Sequence, residues 1–195
     1  MPRAAAFSKD EIAAAAVELA AAGGPGNVTM QGVAAAVGAP SGSIYHRFAG
    51  RPELLATVWA RCLDDFQLFW WDKAGCAQDP GDAAVVTLAW ARKRRACAKV
   101  LLVNSPREFL SDDTPEAARN VIRELQQRST ERLVELAERF LCRCDTEAVE
   151  RTVFALATVP MATLRGPLLA DAPITRCAEA LVRETAACLL SRSRS

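Results

Sequence analysis

The 195-residue chain holds few groups able to do covalent or metal chemistry, and their pattern restricts what that chemistry can be. His46 is the sole histidine. With it alone, no Ser/His/Asp or Cys/His set can be assembled, and no glycine-rich loop follows a strand to hold a phosphate. The 7 cysteines are odd in number and no export signal accompanies them, so they read as reduced thiols more than as a disulfide framework. Cys142 and Cys144 lie closest, separated by Arg143, but no second close pair completes a metal site. No catalytic residue, metal or cofactor is assigned, and an enzyme is not expected.

The residues that do form a functional pattern are Ser41, Gly42, Ser43, Tyr45, His46 and Arg47. Small polar residues at the start of a short helix let its backbone approach a surface, and the three larger side chains offer donors to phosphates or base edges. The stretch that must position them is Thr29 to Phe48, TMQGVAAAVGAPSGSIYHRF. Thr29 can cap a short helix, Val33, Ala34 and Val37 share one apolar face, and Gly38 can end the helix in the left-handed conformation. Pro40 disfavours helix at Ala39 and Ser41 offers a second cap. Ile44 and Phe48 then turn inward at i, i+4 spacing. The pattern predicts a helix-turn-helix. The plainer alternative is a tight helical hairpin with an ordinary solvated end.

With the residues before it, this stretch resembles the DNA-binding region of the TetR/AcrR family of transcriptional regulators. The resemblance is carried by Lys9, Ile12, Ala15, Ala16, Leu19, Gly23, Thr29, Val33, Ala34 and Gly38, then Gly42, Ser43, Ile44, Tyr45, His46, Arg47 and Phe48, over roughly the first quarter of the chain. Two positions depart from the family pattern: Arg47 stands where a histidine precedes the phenylalanine, and Pro40 where a serine is usual. The resemblance implies an all-α protein with a three-helix DNA-binding head at residues 1–50 and a C-terminal helical bundle for ligand binding and dimerisation at 51–195. It implies a repressor released by a small molecule, with Thr29, Tyr45 and Arg51 touching the DNA backbone. Ser41, Gly42, Ser43 and His46 are better placed for base edges, and Gln31, Pro40 and Arg47 complete the candidate DNA contacts.

Composition supports helix, with abundant alanine, only 1 Tyr and no sustained apolar alternation. Charge is even: Lys+Arg 24 against Asp+Glu 23 leaves +1. Within residues 1–58, Arg3, Lys9, Arg47 and Arg51 balance Asp10, Glu11, Glu18 and Glu53, so binding to DNA must depend on where the cations sit. The N-terminal MPRAAAFSKDE lacks a signal peptide's apolar core, and the apolar runs look too short to span a bilayer, so a cytoplasmic protein without a membrane partner is expected.

Along the chain, Ser8 and Glu11 form a capping box for the first helix, and Gly23 to Asn27 stop it. Gly50 and Pro52 start a long helix with Leu55, Val58, Cys62, Phe66 and Phe69 as a core stripe. Cys76 to Asp82 reads as a loop, followed by one helix with Val86, Trp90, Cys97 and Leu101 inward. Its run Arg92 to Arg95 is expected to be a solvated flank. A helix from Glu116 to about Arg143 has Glu124–Arg128 and Glu135–Arg139 as i, i+4 pairs. The next helix, from about Thr146, is apolar nearly all round between Val153 and Leu164, is expected to kink at Pro160, and should end at Gly166 and Pro167. A last helix precedes the tail SRSRS, expected to fray into solvent.

Two expectations follow for the body. Val153, Leu156, Val159 and Thr163, with Ile174, Cys177, Leu181, Thr185 and Cys188, are candidates for a homodimer interface, because two adjacent helices carry more apolar surface than one body covers. Phe66, Trp70, Trp90, Phe109, Leu125, Met161 and Leu164 are candidates for the wall of a mostly apolar ligand cavity. The reading is thus a DNA-binding regulator, probed by double-stranded DNA and a small-molecule effector. The alternative is a helical protein-binding or scaffold protein that does not bind DNA.

Overall fold

A computed structural model describes residues 7–191 as eleven α-helices interrupted by one 3₁₀ turn and one π turn, with no strand among the described residues. The helices α1 (Lys9–Gly23), α2 (Met30–Val37) and α3 (Ser41–Tyr45) precede the long α4 (Arg51–Ala74). Beyond it run α5 (Pro80–Lys93), α6 (Arg95–Val103), the single turn α7 (Pro106–Phe109), α8 (Glu116–Leu141), α9 (Thr146–Val153), α10 (Val159–Leu169) and α11 (Arg176–Leu189). The all-α expectation holds.

The chain ends of the first helices are set by the residues that predicted them. Ser8 and Glu11 close a capping box on α1, and Thr29 Oγ1 accepts from the Gly32 N–H at 2.9 Å to start α2. Gly38 ends α2 at φ 70°, the left-handed region in which a side chain is strained. Ser41 is not a cap. Pro40 holds the capping position and Ser41 is the first helical residue of α3, because proline's fixed φ already directs the chain into the turn.

Two apolar cores stack along α4. The first gathers Ile12, Val17, Val33, Ile44, Phe48, Leu54, Val58 and Cys62 and reaches Val100, Phe109 and Ile122. The second gathers Trp70, Leu88, Trp90, Leu136, Phe140, Leu156, Leu164 and Val182. Leu54 to Cys62 of α4 lie in the first and Trp70 to Ala74 in the second. At about 1.5 Å per residue, α4 is a spine roughly 36 Å long on which both are built.

Several local expectations are corrected. The helix expected to run through Arg92–Arg95 divides at Arg94, whose φ of −124° and ψ of 51° leave the helical region. Arg92, Lys93 and Arg94 are exposed, as expected of a solvated flank, but the break also sends successive guanidinium groups to different neighbours. Arg92 pairs with Glu179 at 2.6 Å and Arg94 with Asp65 at 3.2 Å. Arg95 holds Asp171 at 3.0 Å and the carbonyls of Pro167 and Ala172 at 3.2 and 2.9 Å. On α8, Arg128 reaches across to Asp64 rather than pairing with Glu124. Arg139 donates to the carbonyls of Ala74, Gly75 and Ala77, capping the end of α4 rather than pairing with Glu135. In both cases tertiary acceptors outcompete exposed i, i+4 partners, whose pairing stabilises by only about 0.2–0.5 kcal/mol.

The helix at Thr146 continues unbroken to Leu169. A π turn at Phe154–Thr158 precedes Pro160 and absorbs its missing donor, so the proline sits in the first turn of α10. Pro167 lies inside the last turn, and the helix ends at Leu169, not at Gly166. At 24 residues with mean hydropathy 1.3, Thr146–Leu169 is long and apolar enough to cross a membrane by length and composition, contrary to the sequence expectation. Here it supplies Thr152, Ala155, Leu156, Pro160, Leu164 and Leu168 to the buried interior. The tail expected to fray falls outside the described residues, apart from the exposed Ser191.

Candidate nucleic-acid interface

Helices α2 and α3 present one continuous face of small and polar residues because their larger apolar residues point the other way. Val33, Ala34, Ile44 and Phe48 are at most 2% exposed, which leaves Gln31, Ala35, Ala36, Pro40, Ser41, Gly42, Tyr45 and His46 outward. Tyr45 is 57% exposed. Among the described residues none of Gln31, Ser41, Tyr45 and His46 has a side-chain hydrogen-bond partner. A Cβ added at Gly42 would meet nothing within 4 Å, so the fold does not require glycine there. Burying this face elsewhere in the monomer would strand four polar groups. Left free, they form a donor and acceptor surface with small residues between them, of the kind that enters a groove.

Of the other candidate contacts, Thr29 is exposed but its oxygen caps α2, and Ser43 is half-buried. Arg47 folds back, donating to the Ser43 carbonyl at 3.2 Å. Arg51 lies behind the face rather than on it: its Nε donates to the Val28 carbonyl and its Nη2 to that of Pro25, both at 2.7 Å. It therefore pins the turn that leads into α2. Guanidinium carries five N–H donors, so others remain for a phosphate. Lys9 is held by Glu53 at 2.8 Å and stacks 4.8 Å over the Phe48 ring, and Arg61 pairs with Asp10. Burial acts to raise the Glu53 pKa, but hydrogen bonds from Lys9 and the Ala49 N–H, with the Lys9 charge, hold it below the ordinary carboxylate value. The cations of the head first organise the head. Exposed Ala35 and Ala36 were not singled out in the sequence, although their position one turn from Gln31 was readable from helical spacing.

The seven residues expected to wall a cavity are not brought together into one. Trp70, Trp90, Phe109, Leu125 and Leu164 are at most 3% exposed. Trp70 donates to Thr87 Oγ1 at 3.0 Å and Trp90 to Asp65 at 2.8 Å, so both indoles are fixed in the interior. Phe66 packs edge-on against Trp90 at 4.9 Å, and Phe109 packs at a tilt against Trp59 at 5.4 Å where α7 meets α4. Only Leu125 of the seven lines the large cleft, an opening of about 990 Å³ between α1, α4, α6 and α8. Its wall is mixed rather than mostly apolar: Leu68, Val121 and Leu125 on one part, Arg61, Asp65, Arg94 and Arg128 on another. Leu68 and Val121 are 64% and 49% exposed. This site depends on how four helices meet, and no local spacing announces it.

The nine dimer candidates also divide. Leu156 and Ile174 are buried in their own protomer's core, Leu156 at 1% exposure, and cannot meet a partner; this corrects the sequence reading. Cys177, Leu181 and Cys188 are exposed, and Val153, Val159, Thr163 and Thr185 half-buried. The outward stripe is Phe154, Thr158, Ala162, Arg165 and Leu169 beside Cys177, Ala180, Leu181 and Cys188. Phe154, Leu169 and Leu181 are 51%, 61% and 58% exposed. The outward stripe keeps helical spacing through the π turn, one or two positions away from the expected Val153, Leu156, Val159 and Thr163.

Residues 12–58 match the family of bacterial regulatory proteins, tetR family. Among curated protein sequences none matches significantly. Solved structures share the fold over nearly the whole chain. The fatty acid degradation regulator FadR from Bacillus halodurans is 19% identical, with 95% of each chain covered and a TM-score of 0.67. The FadR regulator from Bacillus subtilis, solved in complex with stearoyl-CoA, is 14% identical, with 96% of this chain and 100% of that one covered and a TM-score of 0.68. A bacterial regulatory protein in the tetR family from Rhodococcus RHA1 is 18% identical over 96% and 100%, with a TM-score of 0.66.

Proposed function

We propose that the chain, whose residues 12–58 match the tetR family of bacterial regulatory proteins, is a DNA-binding transcription regulator of that family, acting as a dimeric repressor released from a pseudo-palindromic operator by a small amphipathic molecule. The observation that carries the reading is the unpartnered polar face of α2 and α3, open at Gly42. Ser41, Gly42, Ser43 and His46 approach base edges, while Thr29, Gln31, Pro40, Tyr45, Arg47 and Arg51 set the register on the backbone. Two heads are needed, since one short α3 reads too few base pairs for an address in a genome. The exposed stripes of α10 and α11, with Phe154, Leu169 and Leu181, supply the isologous contact. A DNA partner puts the protein in the cytoplasm, and the domain division near residue 50 separates reading from control.

The effector site is the cleft beneath α1. Its apolar part suits an alkyl or ring portion, and Arg61, Arg94 and Arg128, already paired with Asp10, Asp65 and Asp64, suit a polar end. Because α1 forms one wall and α8 another, an occupant there changes the angle between head and body. Selection of genomic fragments by the purified protein, followed by footprinting, tests the reading. The expected result is two protected half-sites about one helical turn apart, with affinity that falls as salt rises. Salt-independent retention, or no DNA selection with the fold intact, would favour a protein-binding role for the same face.

A further inference from the structure

The opening beneath α1 extends further than the cleft. A second pocket of about 280 Å³ lies between the start of α4 and the start of α8, and Thr57, Ala60 and Val121 line both openings. The two therefore form one continuous trough. Helical spacing lays down its sides: Glu53, Thr57, Ala60, Asp64 and Leu68 recur three or four residues apart on α4, as do Ala118, Val121, Leu125 and Arg128 on α8. From residue 53 to residue 68 of α4 the trough is roughly 20 Å long.

Its chemistry changes along that length. The smaller pocket is walled by Ala56, Ala60, Pro115, Ala117, Ala118 and Val121. The polar groups there are already engaged: Lys9 with Glu53 at 2.8 Å, and the Thr57 hydroxyl donating to the Glu53 carbonyl at 2.8 Å. This end offers an occupant apolar contact and little else. The arginines of the larger end are likewise matched, Arg61 with Asp10, Arg94 with Asp65, Arg95 with Asp171 and Arg128 with Asp64. A neutral hydrogen-bonding group is received there without stranding an ion, whereas a charged one competes with those pairs.

We propose that the effector is a single-chain amphiphile with a neutral polar end, lying along α4 with its tail in the alanine-walled pocket, and that Ala118 and Val121 set the chain length it accepts. The inference rests on the reading of the cleft as the effector site, and adds the shape of the occupant and its direction. A linear chain follows the trough past Val121, whereas a broad ring system fills the cleft and stops there. The pocket ends at the Lys9–Glu53 pair that tethers α1 to α4, so a tail long enough to reach it touches a contact between head and spine.

Calorimetric titration of the full chain, without DNA, with n-alkyl maltosides from octyl to dodecyl below their micelle-forming concentrations tests this. Affinity should rise roughly fourfold per added methylene and level off once the tail fills the pocket. Ala118→Phe narrows the pocket and should bring that plateau to a shorter chain, with octyl affinity little changed. Val121 is 49% exposed, so Val121→Glu sets a charge at the junction without disturbing the core, and decides alone should the phenylalanine variant not fold. The glutamate variant should bind dodecyl maltoside no more tightly than octyl. Affinity independent of chain length, or a rise that the folded variants keep, overturns the trough and leaves the cleft standing as a site for a compact effector. Absence of binding at every length overturns the trough as well; the effector reading is then judged separately, by whether compounds of other shapes release the operator.

Discussion

The body and the head use arginine on opposite plans. In the body, Arg92, Arg94, Arg95 and Arg139 are directed at carboxylates and helix-end carbonyls of other elements, and tie together α5, α6, α8, α11, the end of α4 and the end of α10. Hydrogen bonds to charged groups are worth about 1.5–3 kcal/mol where partly shielded. In the head, Lys9 and Arg51 do similar work, but the adjoining face of α2 and α3 is left with small and neutral polar groups unpartnered. A dense basic run is here a structural clamp, and the face fit for nucleic acid is the one with little charge. Recognition by such a face depends on close approach rather than on a broad field, which gives the comparison its sharpest test.

Gly42→Leu tests approach alone. The added side chain meets open space in the protein, so the melting temperature and the dimer should be unchanged. In a groove it holds the helix away from the bases, and operator affinity should drop by roughly 100-fold or more, the equivalent of one or two base contacts at about 1–3 kcal/mol each. Fluorescence anisotropy with operator and scrambled duplexes reads it; near-native operator binding by the leucine variant would mean that α3 is not the inserted element.

Arg95→Ala tests the clamp. It removes the donors that hold the Pro167 and Ala172 carbonyls and one of the two cations that, after Lys99, keep Asp171 below its ordinary pKa. The loss expected is about 1.5–3 kcal/mol, or roughly 3–10 °C in melting temperature, with operator affinity of the folded protein unaltered. Little change in melting with impaired DNA binding would reverse the assignment and make the basic run an interface.

How much of this was legible depended on whether the determinant was local. Thr29, Gly38, Ile44 and Phe48 announce the helix-turn-helix because a cap, a left-handed glycine and an i, i+4 apolar pair act within a few residues. The destinations of Arg95 and Arg139 were not legible, since their acceptors are more than sixty positions away and become neighbours only on folding. The cleft escaped for the same reason: Leu68, Val121 and Arg128 share a wall only when α4 and α8 are packed. Leu156 misled in a different way. The segment is apolar on nearly every side, so its sequence does not say which face turns inward; Leu156 falls in line with the buried Ala148, Thr152, Pro160 and Leu164, and Phe154 with the exposed stripe.

Arg51 lies on the boundary between the two plans, and Arg51→Lys separates them. Lysine keeps the charge but not the fork that reaches both Val28 and Pro25. If the guanidinium chiefly pins the turn before α2, lysine and alanine should both lower stability by about 1–3 kcal/mol and weaken operator binding. If it chiefly neutralises a phosphate, lysine should preserve the salt slope and only alanine should reduce it, by about one unit. The two nitrogen-to-carbonyl distances of 2.7 Å favour the first outcome, with stability lost in both variants.

The smallest effect expected is at Glu53, where the head's tether to Lys9 also titrates. Burial raises its pKa, but the hydrogen bonds from Lys9 and Ala49 prevail, so the folded value lies below that of the unfolded chain. As pH falls, the unfolded chain takes up the proton first, near the ordinary value of about 4.3. The tether's contribution is therefore complete at neutral pH and is lost as pH drops through the lowered folded value. The pair is largely shielded on the glutamate side and open on the lysine side, with side-chain exposures of 20% and 53%, which limits the contribution to about 1 kcal/mol or less. Glu53→Gln should lower the melting temperature by a few degrees at pH 7 and flatten the acid limb of the stability curve below about pH 5. Operator affinity at pH 7 should hold, because the substitution leaves the α2–α3 face untouched. Parallel melting curves for the two proteins from neutral pH down to about pH 3 would show that Lys9 and Glu53 are screened by solvent, and that α1 is fastened to α4 by its apolar contacts and the Arg61–Asp10 pair.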